Sequence, residues 1–370
     1  MKRIALVVTV ACGVLASAAA VAGDVTKCWT LNADDRLRCY DRETGRPTPV
    51  DRADPVVVAD PAEVPAGRMT GYLAERWGYD RNPGEDVFIV SQYHENYLIV
   101  RDSNRPNTLP YAPDAQGNPI DATVPIDVQH PEVKFQFSGK VRVADFAASP
   151  IGGGPDIADA FGIWLAYTQR SHWQVFNGAQ SRPFRETNYQ PEAIFSIHPR
   201  MFVSERRKDS GNWRVFNLGV GHQSNGQSSP LSRSWNYAFA QLGFELDNEF
   251  GQWSLMVRPW YRIPEASEKD DNPDLIDYIG YGDFRGTWRR CDWEVSLMGR
   301  GNPGTGKGAA QLDVSFPLRI GDRYYPFLGY FQVFTGYGES LIDYNWRQTA
   351  VGLGFRLNDR RSVADGCTHG

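Results

Sequence analysis

WRVFNLGVGHQSN, from Trp213 to Asn225, and WNYAFAQLGFEL, from Trp235 to Leu246, decide the fold. Taken two residues at a time, the first stretch separates into two rows. One carries Phe216, Leu218, Val220, His222 and Ser224; the other carries Asn217, Gly219, Gly221 and Gln223. The second stretch does the same, with Asn236, Ala238, Ala240, Leu242, Phe244 and Leu246 on one row and Gln241 and Glu245 on the other. NWRQTAVGLGFRL repeats the pattern near the C-terminus, Val351, Leu353, Phe355 and Leu357 opposing Gly352, Gly354 and Arg356. A period of two is the signature of a β-strand, whose side chains alternate between faces. In a membrane barrel the apolar row faces lipid and the polar or glycine row the lumen. In a soluble sandwich the apolar row would face a core instead.

Working outward, similar segments recur between clusters of Gly, Pro, Asn and Asp. They fall near 88–101, 133–143, 162–176, 185–199, 213–225, 232–246, 253–263, 278–288, 291–302, 308–319, 324–336 and 345–357. That makes about twelve strands of roughly ten residues or more, the length of a tilted membrane crossing, and an even number, as antiparallel closure requires. The fold class expected is therefore all-β, an antiparallel twelve-stranded transmembrane β-barrel. Short turns near 247–252, 289–291 and 320–323 would lie on the periplasmic side, and the longer connections outside the cell. A Gly-rich connection near 144–161 is long for the side this scheme gives it.

The ends support export. Lys2 and Arg3 precede an apolar run from Ile4 to Leu15, and Ala20-Val21-Ala22 is a small-x-small cleavage pattern, so residues 1–22 read as a signal peptide. No later stretch is apolar enough for a membrane helix. Residues 23–68 read as a Cys-containing, Pro-rich periplasmic extension, including RPTPVDRADPVVVADPAEVPAG from Arg46 to Gly67. The barrel is expected over 69–358, and a polar C-terminal tail over 359–370. A mean hydropathy of −0.46 suits a barrel with polar lumen and loops as well as a soluble chain. A net charge of −5 without a basic patch gives no case for nucleic acid. Beyond Cys12 in the signal peptide, Cys28, Cys39, Cys291 and Cys367 make an even set, which in an oxidising compartment favours disulfides. Cys28 and Cys39 are close enough in sequence to close a small loop.

The chemistry concentrates in GHQSNGQSSPLSRSWN, Gly221 to Asn236. His222 and Ser224 share one strand face, and Asn236 has matching parity across a short hairpin. Imidazole can take a serine hydroxyl's proton near neutral pH, and an amide can fix the imidazole tautomer without adding charge. All three lie on the apolar row. In a soluble core they would cost about 1–3 kcal/mol each if unpaired; on a barrel exterior they face lipid. The bland alternative is a chance His-x-Ser pair and a polar hairpin turn. His94, His130, His172 and His198 have no evident partners in the sequence. Asp270, Asp271, Asn272 and Asp274 lack EF-hand spacing and read as a solvated loop, while Glu339 and Asp343 sit in the last outer connection.

H-x-S-N-G followed by S-R-S-W-N resembles the active-site signature of bacterial outer-membrane phospholipase A. SRPFRETNYQPE (Ser181–Glu192), DDNPD (Asp270–Asp274) and YGESLIDYN (Tyr337–Asn345) resemble the family too, over roughly residues 88–358. The resemblance implies a calcium-dependent hydrolase of sn-1 and sn-2 acyl esters of phospholipids and lysophospholipids, active as a homodimer in the outer membrane. It implies Ser224 as nucleophile, His222 as proton acceptor and Asn236 as its orienter, with the Ser224 amide and the ion stabilising the oxyanion. It implies one calcium ion per monomer at Ser232, Gln227 and the partner's Ser181, and Gln169 bonded across the dimer interface. Asp271 matches one of two aspartates of a second calcium site. Three positions depart from the pattern: Gln223 stands where relatives often have Asp, Ser229 replaces the second aspartate, and RRSVADGCTHG extends the C-terminus. The rival of another class is a barrel without catalysis, a pore or adhesion scaffold.

Cys367 in the tail and Cys291 in a turn fall on the same predicted side, so the two are expected either to form a disulfide tying the tail to the barrel base or to stay as two unpaired thiols. With the tie formed, intact-mass measurement without reductant should find neither thiol free; finding both free would contradict the tie.

Overall fold

Main-chain polar groups at membrane depth have no water to bond, so a sheet can cross only by closing on itself. The computed structural model describes residues 25–29, 36, 39, 69, 71–80, 87–111, 125–151, 153, 156–178, 184–202, 212–320 and 323–357. The signal peptide, most of the Pro-rich extension, Ser181, Cys367 and the tail lie outside the described residues. The chain forms two units, 1–66 and 67–370. In the first, Val25–Cys28 makes a 3-10 turn and Cys28 is joined to Cys39.

In the second unit the strands are β1 (Val90–Gln92), β2 (Tyr97–Ser103), β3 (Pro131–Ala148), β4 (Ile157–Trp173), β5 (Phe184–Ile197), β6 (Asn212–Ser224), β7 (Ser234–Asn248), β8 (Gly251–Ile263), β9 (Gly282–Arg290), β10 (Trp293–Asn302), β11 (Lys307–Ile320), β12 (Arg323–Tyr337) and β13 (Arg347–Leu357). Strands β2 to β13 pair antiparallel in sequence order, and β13 returns to β2 through Ala350↔Ser103 to Arg356↔Tyr97, closing a twelve-stranded ring. No helix among the described residues is long and apolar enough to cross a membrane; the strands cross it.

Two expectations about the strands need correction. The stretch 88–101 is two strands, β1 and β2, both on the same edge of β3. Their registers, Gln92↔Gly139 and Tyr97↔Gln136, leave Tyr93–Asn96 bulged out of the ladder. The connection near 144–161 is largely strand: β3 and β4 run on to Ala148 and from Ile157, past two register shifts. Eight residues, 149–156, separate the two strands. Two-residue turns, 249–250 and 291–292, lie at the same end of the barrel.

The apolar rows face outward, as Leu218, Val220, Leu242, Val351, Leu353 and Phe355 show by their exposure. The lumen is not uniformly polar. On β7 its row is Trp235, Tyr237, Phe239, Gln241 and Glu245, all buried. These aromatics receive a segment that the strand pattern did not foresee, residues 69–80, whose short helix α1 (Tyr72–Arg76) sits inside the barrel. Leu73, Ala74 and Trp77 pack against Trp164, Val215 and Phe239. Lys140 donates to the Arg76 carbonyl at 2.7 Å and lies 3.6 Å over the Trp77 ring, while Arg142 donates to the Trp77 carbonyl at 2.5 Å. Two strand cations thus satisfy carbonyls that a five-residue helix leaves open at its end. Gly71 has φ of 113°, and a Cβ there would fall 2.2 Å from the Glu245 carboxylate, which accepts from the Leu73 N–H.

From the opposite end, the connection 338–346 folds into the lumen on a cluster of ion pairs. Glu339 pairs with Arg101 and Lys134, each at 2.9 Å. Asp343 pairs with Arg185 at 2.7 Å, and Glu132 pairs with Arg101 at 3.1 Å and Arg185 at 3.0 Å. Three cations meet three carboxylates in these pairs, and a fourth buried carboxylate, Glu186, accepts from the Ile342 N–H at 2.7 Å. His172, partnerless in the sequence, meets Glu132 at 2.7 Å. Burial alone would raise the Glu339 carboxyl; Arg101 and Lys134 outweigh it and hold it down to about 2. A folded-state value below the ordinary 4.5 means a contribution fully present above that pH and lost as pH falls toward 2. Between plug and inward connection remains a cavity of about 240 Å³.

Glu339→Gln would leave Arg101 and Lys134 short of one buried charge, a defect of about 3–5 kcal/mol. Semi-native electrophoresis after graded heating should show the folded, fast-migrating band lost at a lower temperature. An unchanged transition would mean that the cluster does not hold the interior.

Candidate functional site

The register between β6 and β7 places His222 opposite Asn236 and Ser224 opposite Ser234, at the long-connection end of both strands. Successive outward positions on one strand and a facing position on the next therefore bring the three side chains to one patch of the outer surface, half-buried. His222 Nδ1 lies 2.9 Å from Asn236 Oδ1. With the amide oxygen as acceptor, Nδ1 carries the proton, and Nε2 is left as the basic nitrogen. Ser224, two residues along the same face, is the hydroxyl beside it. On the neighbouring strand Tyr189 faces Ser224, and the apolar positions Val220, Ala238 and Tyr261 continue the patch toward the middle of the barrel. Gln223 points the other way, into the lumen, where it accepts from Trp235 Nε1 at 2.9 Å. The departure at that position therefore lies on the opposite face from His222.

The turn 225–233 is built on Asn225. Its backbone N–H donates to the Arg233 carbonyl at 3.0 Å, and its side-chain oxygen accepts from the N–H groups of Gln227 and Arg233 at 3.2 and 3.0 Å. Its amide nitrogen donates to Leu231 O at 2.8 Å. Gln227 is held further by donating to the Arg185 carbonyl at 3.1 Å, which links this turn to the charge cluster of the lumen.

The aspartate-rich connection lies alongside and is not simply solvated. Asp270 pairs with Arg262 at 2.6 Å, Asp274 accepts from Tyr344 at 2.5 Å, and Asn272 accepts from the Ser234 N–H at 3.1 Å. Burial, then the Asp274 hydrogen bond, pushes the Tyr344 hydroxyl's pKa above its ordinary value. The remaining aspartate, Asp271, accepts from Ser232 Oγ at 2.5 Å. The hydroxyl of Ser232 and the carboxylate of Asp271 therefore share one locus. All the donors here are oxygens, the set that a hard divalent cation takes. Among the described residues no three His, Cys, Asp or Glu side chains gather as a metal centre, so a cation here would also draw on main-chain carbonyls. Gln169 lies on the outward face of β4, accepting from Tyr167 OH at 3.1 Å and donating to Ser171 Oγ at 3.4 Å. Cys291 sits in the turn between β9 and β10 and is disulfide-bonded.

One residue escaped the sequence reading. Glu265, just past β8, accepts from Asn236 Nδ2 at 2.6 Å. Asn236 pairs with Ile263 across β7 and β8, so Glu265 is the diagonal outward neighbour, within reach of a long side chain. The signal was the hairpin register, which strand periodicity alone does not supply.

A closed barrel carrying a serine, an imidazole and an amide on its lipid face defines a membrane-embedded protein with the groups of an acyl hydrolase. The family profile described as phospholipase A1 matches residues 73–357. A putative phospholipase A1 of Neisseria meningitidis is 33% identical over 94% of this chain and 94% of its own length. The phospholipase A1 of Escherichia coli is 35% identical over 74% and 83%. Among solved structures, the Salmonella typhi outer membrane phospholipase, a dimer with bound calcium, superposes with a TM-score of 0.59 at 33% identity, covering 75% of this chain and 95% of that one. An Escherichia coli outer membrane phospholipase A, an active-site asparagine-to-alanine mutant, gives 0.58 at 34% identity over 75% and 93%. This chain belongs to the phospholipase A1 family and is an outer-membrane β-barrel.

Proposed function

We propose that this barrel is a calcium-dependent phospholipase, active as a homodimer, that hydrolyses sn-1 and sn-2 acyl esters from the outer leaflet. The observation that carries the reading is the His222–Asn236 hydrogen bond on the lipid face, with Ser224 on the same row. His222 Nε2 takes the Ser224 proton as Oγ attacks the ester carbonyl. The ester C–O bond breaks, and His222 returns the proton to the leaving lysophospholipid oxygen. Water, deprotonated by the same nitrogen, then releases the fatty acid and restores Ser224. Asn236 holds the imidazole so that Nε2 stays the base through both halves.

Asp271 would belong to the second calcium site, while Ser232 and the Gln227 carbonyl would hold the first, joined by Ser181 of a second copy. Bound there, the ion would polarise the ester carbonyl and offset the oxyanion's charge. The solved relative that is a calcium-bound dimer supports this reading, as does the active-site asparagine of another. Gln169, on the outward face of β4, would meet its counterpart in the partner. The non-catalytic pore is disfavoured by the lumen, which the 69–80 plug and the 338–346 connection occupy from opposite ends.

Refolded protein should release fatty acid from detergent-dispersed phospholipid with calcium and not with chelator, and Ser224→Ala should lower the rate by at least about a thousandfold. A folded, dimeric, calcium-loaded wild type without activity would contradict the reading.

A further inference from the structure

A neutral orienter has a weakness that the geometry around Asn236 addresses. An amide is nearly symmetric in shape. Turned by 180°, Asn236 would present its NH₂ to His222 Nδ1, select the tautomer with hydrogen on Nε2, and leave Ser224 facing a donor instead of a base. Hydrogen bonding to His222 alone does not decide between the two orientations, because imidazole adapts its tautomer to either.

We infer that Glu265 is a positioning residue that locks Asn236 in the base-competent orientation; the inference rests on the Ser224–His222–Asn236 reading. The Glu265 carboxylate accepts from Asn236 Nδ2 at 2.6 Å while Asn236 Oδ1 meets His222 Nδ1 at 2.9 Å. An ionised carboxylate only accepts, so the flipped amide would set its oxygen against another acceptor. One orientation, and with it one histidine tautomer, is thereby selected from outside the triad. The carboxylate also supplies, one residue removed, negative charge that the amide lacks, through a charge-assisted bond of the strong kind. Arg262, at the same end of β8, is engaged by Asp270 at 2.6 Å and by the Asn272 and Pro273 carbonyls. Glu265 is only partly buried, beyond the end of β8, so its side chain can be changed without opening the barrel wall. The row Ser224, His222, Asn236, Glu265 thus runs across three strands on one outer face.

The test is a double-mutant cycle on the full-length, calcium-loaded protein with mixed phospholipid–detergent micelles as substrate. Glu265→Ala should lower kcat roughly tenfold, the scale seen when a group that orients a functional side chain is removed, with KM and heat stability unchanged. Glu265→Gln, which keeps a carbonyl acceptor, should recover part of the loss. In an Asn236→Ala background Glu265→Ala should cost nothing further, because the residue through which it acts is gone. Wild-type kcat in Glu265→Ala, a change confined to KM, or losses that multiply in the double variant would each overturn the inference. Ser224→Ala, run in parallel, separates the two failures: full activity there would overturn the hydrolase reading itself, whereas its loss with Glu265→Ala unaffected would overturn only the role of Glu265.

Discussion

Ring closure is the constraint on which everything else depends. The bonds between β13 and β2 leave no edge at membrane depth, and only a closed sheet lets this chain cross lipid without unpaired main-chain groups. Closure also fixes which side of every strand faces lipid, because side chains alternate with a period of two. Once Leu218 and Val220 face outward, His222 and Ser224 must do so too, and the hairpin register carries Asn236 beside them. The placement of three polar side chains on the outer face is a consequence of strand geometry, and it suits the proposed hydrolysis of substrate taken from lipid.

The interior answers a second demand. A ring of this size encloses more volume than its own lumen-facing side chains fill, and this chain fills it with segments that are not strands. The 69–80 plug inserts aromatic and aliphatic residues against Trp235, Tyr237 and Phe239. The 338–346 connection inserts carboxylates among Arg101, Lys134 and Arg185. Pairing is what makes buried charges tolerable at all. The cluster reaches the functional surface through Arg185, whose carbonyl holds Gln227. One hydrogen bond thus joins the lumen cluster to the turn 225–233.

What was legible in the sequence follows the same physics. Alternation exposed the strands, their faces and the shared face of His222, Ser224 and Asn236, since each depends only on parity. Interactions that depend on register stayed hidden. His172 meets Glu132, and Glu265 meets Asn236, only after neighbouring strands are aligned. The plug helix is five residues long, too short for helical periodicity to stand out, and its aromatic surroundings on β7 read as ordinary strand residues. The β3–β4 connection looked long because glycine and proline in Gly152–Pro155 dominate the pattern, although the flanking strands extend almost to them.

The most direct test of the central claim, a nucleophilic serine on the lipid face, is covalent capture with a long-chain alkylsulfonyl fluoride, located by peptide mass spectrometry. A single adduct is expected on Ser224, formed in step with loss of phospholipid hydrolysis and absent in Asn236→Ala or greatly slowed there. Hydrolysis that persists with Ser224 fully modified, or an inactivating adduct on another residue, would contradict it.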